Sequence, residues 1–244
     1  MKKLLYEDKP VVILHGWGSS ARSFEEVRAM LVAKGFPVHA IDLPGFGDAE
    51  MPCEALSVSD YAQFVFQFAG RENLGPFYLL GHSLGGRIGI KFAVRHPDKL
   101  LGLILYAAAG IKPAPTLKTK LILLLAKMGK YVFSLPVLRY LKSIMTRALY
   151  MLAGTRDYYR ARGVMKETMK KVIDEDLRPL LPPIRTKTLI VWGEKDRVTP
   201  LADAYVMAEN IAGSELKIFK NTGHSLHKEQ PEEFVDSVSS FLLS

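Results

Sequence analysis

Phe77-Tyr78-Leu79-Leu80-Gly81-His82-Ser83-Leu84-Gly85-Gly86 decides the fold of this chain. A short apolar run of strand character ends in glycine, a serine stands two residues further on, and helical periodicity begins at Leu84. A bend this sharp needs small residues two before and two after Ser83, because a larger side chain would clash where the backbone reverses. The start of the helix aims the free N–H of Leu84 toward an anion forming beside Ser83. The serine is therefore a candidate nucleophile. Its hydroxyl is weak at neutral pH unless a base lies within hydrogen-bond reach and a third group orients that base.

The later sequence supplies both. Gly193-Glu194-Lys195-Asp196 follows an expected strand at Thr188 to Trp192, and Gly223-His224 follows another at Leu216 to Phe219. In a parallel sheet these loops share the carboxyl edge with Ser83. We read His224 as the base and Asp196 as its partner, in the chain order Ser, Asp, His. Glu194 competes with Asp196 for the third role. Asp196 is preferred because it lies further into the loop, before Arg197-Val198-Thr199-Pro200. Of the other histidines, His39, His96 and His227 read as surface or helix-end residues, while His15 and His82 flank glycine turns and brace the site.

Further out, His15-Gly16-Trp17-Gly18 ends the first strong strand, Val11 to Leu14, and its glycines let a backbone N–H turn inward. Trp17 is the expected second oxyanion donor, opposite Leu84. Asp42-Leu43-Pro44-Gly45-Phe46-Gly47 also follows a strand end, at Val38 to Ile41. It lacks the lysine and Ser/Thr of a phosphate-binding loop and reads as a bracing turn.

Strands alternate with helices at Phe24 to Ala33, Ser59 to Phe68, Leu84 to Val94, Ala202 to Ile211 and Glu232 to Leu242, and a further strand is expected at Leu101 to Tyr106. This order implies an α/β fold with a mostly parallel, doubly wound sheet. After Gly110 the texture becomes apolar, basic and helical, punctuated by Pro113, Pro115 and Pro136. We expect a core of 1–110 and 183–244 with a helical insertion at 111–182. No internal repeat or low-complexity tract interrupts this pattern.

Composition agrees with one folded α/β unit carrying one insertion: 244 residues, 48% hydrophobic and 24% charged. The lone Cys53 excludes an internal disulfide and any cysteine-based metal site, which fits a reducing, cytoplasmic setting. The N-terminus reaches Glu7-Asp8 before any apolar run of signal-peptide length, and the apolar run Leu121 to Ala126 is far shorter than the roughly 20 residues a membrane span needs. Neither export nor stable membrane insertion is expected. The net charge of +8 is unevenly placed. Residues 111–180 hold nine Lys and six Arg against five acids, a net +10, and the rest of the chain carries −2. A solvated basic face, an anionic substrate or acyl-carrier partner, and an anionic lipid surface all suit such a segment. Nucleic acid does not, since no recognised binding module accompanies the charge.

Taken together, His15-Gly16-Trp17-Gly18, Asp42 to Gly47, Gly81 to Gly86, Trp192 to Asp196 and Gly223-His224 resemble the α/β-hydrolase superfamily. Within it, the chain is similar to serine esterase-like members with a helical cap inserted after the sixth strand of the family's sheet. The resemblance implies a cap that roofs a substrate pocket, a small-molecule ester substrate, and neither metal nor organic cofactor. It implies carboxylic ester hydrolysis through an acyl-enzyme, with carbon–carbon bond hydrolysis of ring-cleavage products as the alternative. A third possibility is ligand binding with negligible turnover. A dehalogenase is disfavoured, because that chemistry needs a carboxylate where Ser83 stands. Few residues precede Val11, so the sheet is expected to lack at least one edge strand of the family.

Overall fold

The computed structural model describes residues 6, 8–112 and 163–244. Four strands are nearly continuous apolar runs: β1 (Val11–Leu14), β3 (Phe77–His82), β4 (Leu100–Tyr106) and β5 (Thr188–Gly193). Both faces of these strands are covered by helices, so neither face selects for polar residues. β2 (Val38–Ile41) and β6 (Glu215–Phe219) are half-buried and carry His39, Glu215 and Lys217, as the outermost strands should. All pairings are parallel and the order is β2-β1-β3-β4-β5-β6. No antiparallel strand precedes β1 among the described residues.

Side chains alternate between the two faces. One face contributes Val11, Ile13, Tyr78, Leu80, Ile104, Tyr106, Leu189 and Val191 to a core completed by Val27 and Leu31 of α1 (Glu25–Ala33) and Phe234, Val235 and Val238 of α7 (Pro231–Leu243). On the other face α3 (Leu84–Arg95) packs beside α2 (Val58–Arg71). There Gly89 lets α3 settle onto Leu79, Leu103 and Leu105. α2 starts at a capping box in which Ser57 and Asp60 satisfy each other's backbone N–H. It runs three residues beyond the expected end, to Arg71.

α4 (Val164–Asp174), α5 (Leu201–Asn210) and the four-residue α6 (Leu226–Glu229) complete the described helices. The chain divides into two compact units, Met1–Ile111 with Gly163–Ser244, and Lys112–Arg162. Most of the expected insertion, 113–162, lies outside the described residues. Its last part, including α4, belongs to the first unit.

The strand order fixes where a ligand can bind. β1 feeds β2 on one side while β3 lies on the other, so the chain's direction of travel reverses between β1 and β3. Open parallel sheets bind ligands outside the carboxyl ends of the strands at such a reversal, which here is marked by His15-Gly16 and His82-Ser83.

Candidate active site

Ser83 occupies a sparsely populated conformation, φ 53° and ψ −105°, between β3 and α3. A non-glycine residue there stores about 1–3 kcal/mol of strain. Its surroundings hold it: the Ser83 N–H donates to the Tyr106 carbonyl at 3.0 Å, and the Ser83 carbonyl accepts from Ala109 at 3.0 Å. The flanking glycines are sterically required. A Cβ on Gly81 would fall on the Gly85 carbonyl, one on Gly85 on the Leu14 carbonyl, and one on Gly86 on Ala108. This is the strained strand-to-helix bend that the sequence motif implies.

Beyond β5 and β6, the structure brings His224 and Asp196 together. His224 Nδ1 lies 2.7 Å from Asp196 Oδ2. The carboxylate also accepts from the Val198 N–H at 2.8 Å and the Thr199 N–H at 3.0 Å on Oδ1, and from the Thr199 hydroxyl at 2.9 Å on Oδ2. Burial raises the Asp196 pKa, but the hydrogen bond and charge of His224 and the two backbone N–H donors outweigh it. The carboxyl therefore ends below its ordinary value. An ionised, acceptor-only Asp196 fixes the proton of His224 on Nδ1 and leaves Nε2 as a lone-pair base. Glu194 turns elsewhere: its Oε2 accepts the Asn221 N–H at 2.9 Å and braces the loop that carries His224.

Of the two expected oxyanion donors, Leu84 follows Ser83 directly, and Trp17 follows Gly16, which lies close to Ser83. Leu84 opens α3, so its N–H has no helix carbonyl to meet. Trp17 shares a peptide plane with the Gly16 carbonyl, which His15 Nδ1 holds at 2.8 Å. Leu43 N–H donates to His15 Nε2 at 3.1 Å, so the ring's proton must sit on Nδ1 and point at that carbonyl. In a trans peptide the Trp17 N–H then points the opposite way. Burial lowers the His15 pKa and favours this neutral tautomer, although Gly16 and Asp42 pull it up. Gly16 must stay small, because a Cβ there would press on His82 and Ser83. Asp42 acts as the bracing turn expected of it: Oδ1 accepts Ala21 N–H at 2.6 Å and Oδ2 accepts Asp48 N–H at 2.9 Å.

One histidine departs from its sequence reading. His227 lies in the short helix α6, but it is buried, 4% exposed, rather than at the surface. Its Nδ1 meets the Tyr106 hydroxyl at 2.9 Å and its ring stacks on Phe24 at 4.3 Å. Thr199 is a further functional residue that the sequence reading does not single out. Among the described residues no group of three or more His, Cys, Asp or Glu side chains is arranged to hold a metal ion. No helix among them is long and apolar enough to cross a membrane.

Comparison with known proteins agrees with this architecture. Residues 7–231 match the Hydrolase_4 family model, described as serine aminopeptidase, S33. The 2-hydroxy-6-oxononadienedioate/2-hydroxy-6-oxononatrienedioate hydrolase of Escherichia coli strain K12 is 29% identical over 259 residues, 96% of this chain and 87% of that one. An esterase from Exiguobacterium antarcticum superposes with a TM-score of 0.74 at 27% identity, covering 98% of this chain and 93% of its own. The enol-lactonase of Burkholderia xenovorans LB400 shares the fold, with a TM-score of 0.72 at 22% identity over 97% and 92% of the two chains.

Proposed function

The chain belongs to the Hydrolase_4 (serine aminopeptidase, S33) family of α/β hydrolases, and from that premise we propose that it cleaves carboxylic esters through a covalent acyl-Ser83 intermediate. The observation that carries this reading is a single constellation. A strained serine turn at the end of β3 shares the carboxyl edge of the sheet with a loop whose His224 is held by an ionised Asp196 and whose backbone meets His82, the neighbour of Ser83.

In the proposed reaction Ser83 Oγ attacks the carbonyl carbon as His224 Nε2 takes its proton. The Leu84 and Trp17 N–H groups stabilise the oxyanion. His224 then gives the proton to the departing alkoxide, which leaves as the alcohol, and a water molecule repeats the sequence on the acyl-serine. The net +10 of residues 111–180 favours an anionic ester or an acyl-carrier partner.

A second reading is hydrolysis of a carbon–carbon bond in a 2-hydroxy-6-oxo acid, favoured by the 29% identity to the Escherichia coli hydrolase named for such substrates. One experiment separates the two. Wild type and Ser83→Ala are assayed on a nitrophenyl ester series of increasing acyl length and on vinylogous diketone acids. Ester turnover that disappears in a folded Ser83→Ala supports the esterase. A pronounced preference for the diketone acids selects the second reading, and equal ester turnover in both proteins removes Ser83 from the mechanism.

A further inference from the structure

His224 enters the site from the far edge of the sheet. It follows β6, the outermost strand, whereas Ser83 follows β3, three strands away. At about 4.8 Å between neighbouring strands, the distance to be covered is roughly 14 Å. The segment from Lys220 to Ser225 has no regular structure to fix its course over the ends of β5 and β4. What holds its backbone at the far end therefore decides where the imidazole points.

The carbonyl of His224 is held from those strand ends. His82 Nε2, at the end of β3, lies 3.0 Å from it, and the Tyr106 hydroxyl, at the end of β4, lies 3.1 Å from it. Both donors are buried, His82 at 7% and Tyr106 at 0% exposed, and their rings stack at 4.4 Å. A carbonyl only accepts, so His82 carries its proton on Nε2. Tyr106 has a single proton. It can give it to His224 because His227 supplies donors of its own to the phenol oxygen: its backbone N–H at 3.1 Å and its Nδ1 at 2.9 Å. His227 Nε2, buried with no partner among the described residues, is then a bare ring nitrogen rather than an N–H without an acceptor. Burial lowers the pKa of both His82 and His227, which keeps the chain of donors neutral.

We propose that His82 and Tyr106 are positioning residues for His224, clamping its carbonyl to the two strands its loop must cross and so aiming its imidazole at Ser83. The proposal rests on the reading of His224 as the base. It gives the residue between Gly81 and Ser83 a role of its own: the position before the nucleophile ties the base's loop to the nucleophile's strand.

The test compares wild type with His82→Leu, His82→Gln and Tyr106→Phe, using kcat and KM on the best nitrophenyl ester and the low-field proton resonance of His224 Nδ1–H bonded to Asp196. His82→Leu should lower kcat about 100-fold, the scale of a 1 Å misplacement, with KM within about twofold. Its low-field proton should broaden by exchange with water. His82→Gln places an amide N–H near the position of the imidazole Nε2–H and should recover most of both signals. If His82→Leu does not fold, His82→Gln and Tyr106→Phe decide: near-wild-type kcat in the first with about a tenfold loss in the second is the expected pair. Wild-type kcat and an unchanged low-field proton in folded His82→Leu or Tyr106→Phe would overturn the proposal, as would a His82→Gln no better than His82→Leu. Loss of the esterase reading shows separately, as ester turnover that Ser83→Ala does not change. The resonance needs no substrate and still reports on the clamp in that case.

Discussion

His224 Nδ1 and Asp196 Oδ2 lie 2.7 Å apart, and the carboxylate that receives this bond has three further donors, from Val198 and Thr199. All four donors converge on one carboxylate in this loop conformation. These bonds hold the Asp196 carboxylate from within its own loop and separate it from Glu194 two residues earlier, which accepts the Asn221 N–H instead.

Asp196→Asn should keep the fold and lose the tautomer. An amide can present an N–H to His224 and drive the proton onto Nε2, where the base needs a lone pair. The expected loss in kcat is about 10³- to 10⁴-fold. Glu194→Gln keeps an oxygen for the Asn221 N–H and should stay within about threefold of wild type. Steady-state kinetics of the two variants on one ester, with circular dichroism as the fold control, check this. Equal losses in both would reverse the assignment.

Gly85→Ala should damage the fold before it damages chemistry. The added Cβ meets the main chain of Leu14, which is itself paired on both sides within the sheet, so neither partner can give way. A loss above about 4 kcal/mol is expected, in the range reserved for core overpacking and backbone conflict. Urea unfolding reads it out. A midpoint close to wild type would mean that the β1–α3 contact is looser than these distances imply.

Much of this site is legible in the amino-acid sequence. The bend at Ser83 can be read because its requirement is steric and local: Gly81, Gly85 and Gly86 are demanded by backbone positions a few residues away. The strands at Val11–Leu14 and Val38–Ile41 have the bounds that their apolar runs imply. His224 and Asp196 can be paired by loop and chain order, since parallel strands send all their carboxyl ends to one edge. The roles of Thr199, Tyr106 and His227 are not legible. Tyr106 and His227 meet each other, and Tyr106 meets the His224 carbonyl, across long stretches of chain, while the Thr199 hydroxyl reaches Asp196 only once the loop is folded, and nothing in local pattern encodes such partners. Buried His227 reads only as a surface or helix-end residue, because one turn of helix is too short to show which face turns inward.

Arg87 supplies a stability test. It lies in α3, one turn after Ser83, and its buried guanidinium donates to the carbonyls of Val172 and, at 2.7 Å, Glu175, at the end of α4. Lys91 pairs with the Glu175 carboxylate beside it. Burial lowers the Arg87 pKa to about 10, against the pull of Glu175 and Asp176, so it remains a cation at neutral pH on the negative end of the helix dipole. Arg87→Met should leave two buried carbonyls without their donor and lower stability by about 3 kcal/mol, or roughly 6–12 °C in Tm. Arg87→Lys keeps a cation with several N–H donors on a shorter side chain and should fall in between. A Tm within about 2 °C of wild type in Arg87→Met would show that the contact contributes little.

The buried histidines set the acid limb of stability. Burial lowers the pKa of His82 and His15, and that of His227 to about 4 from 6.5. The unfolded chain therefore binds more protons than the native one below pH 6.5. Stability is complete above that value and is lost as pH falls toward 4. His227 alone should account for about 2 kcal/mol at pH 5, and His15 and His82 act in the same direction. Asp203 opposes them. Burial, reinforced by the charge of Asp196 and resisted by Arg178, raises its pKa to about 6 from 3.8, so its native form takes up a proton as pH falls through 6 and gains stability there. Asp203 is half-exposed, and solvent screening leaves it the smaller influence. Tm should thus fall between pH 7 and pH 5 in wild type and fall more steeply in Asp203→Asn, which lacks the opposing group. His227→Gln, which has no proton to gain, should flatten the slope. Calorimetry across pH 4.5–7.5 on the three proteins reads all of this, and a wild-type Tm that rises on acidification would mean that Asp203, not the histidine cluster, dominates.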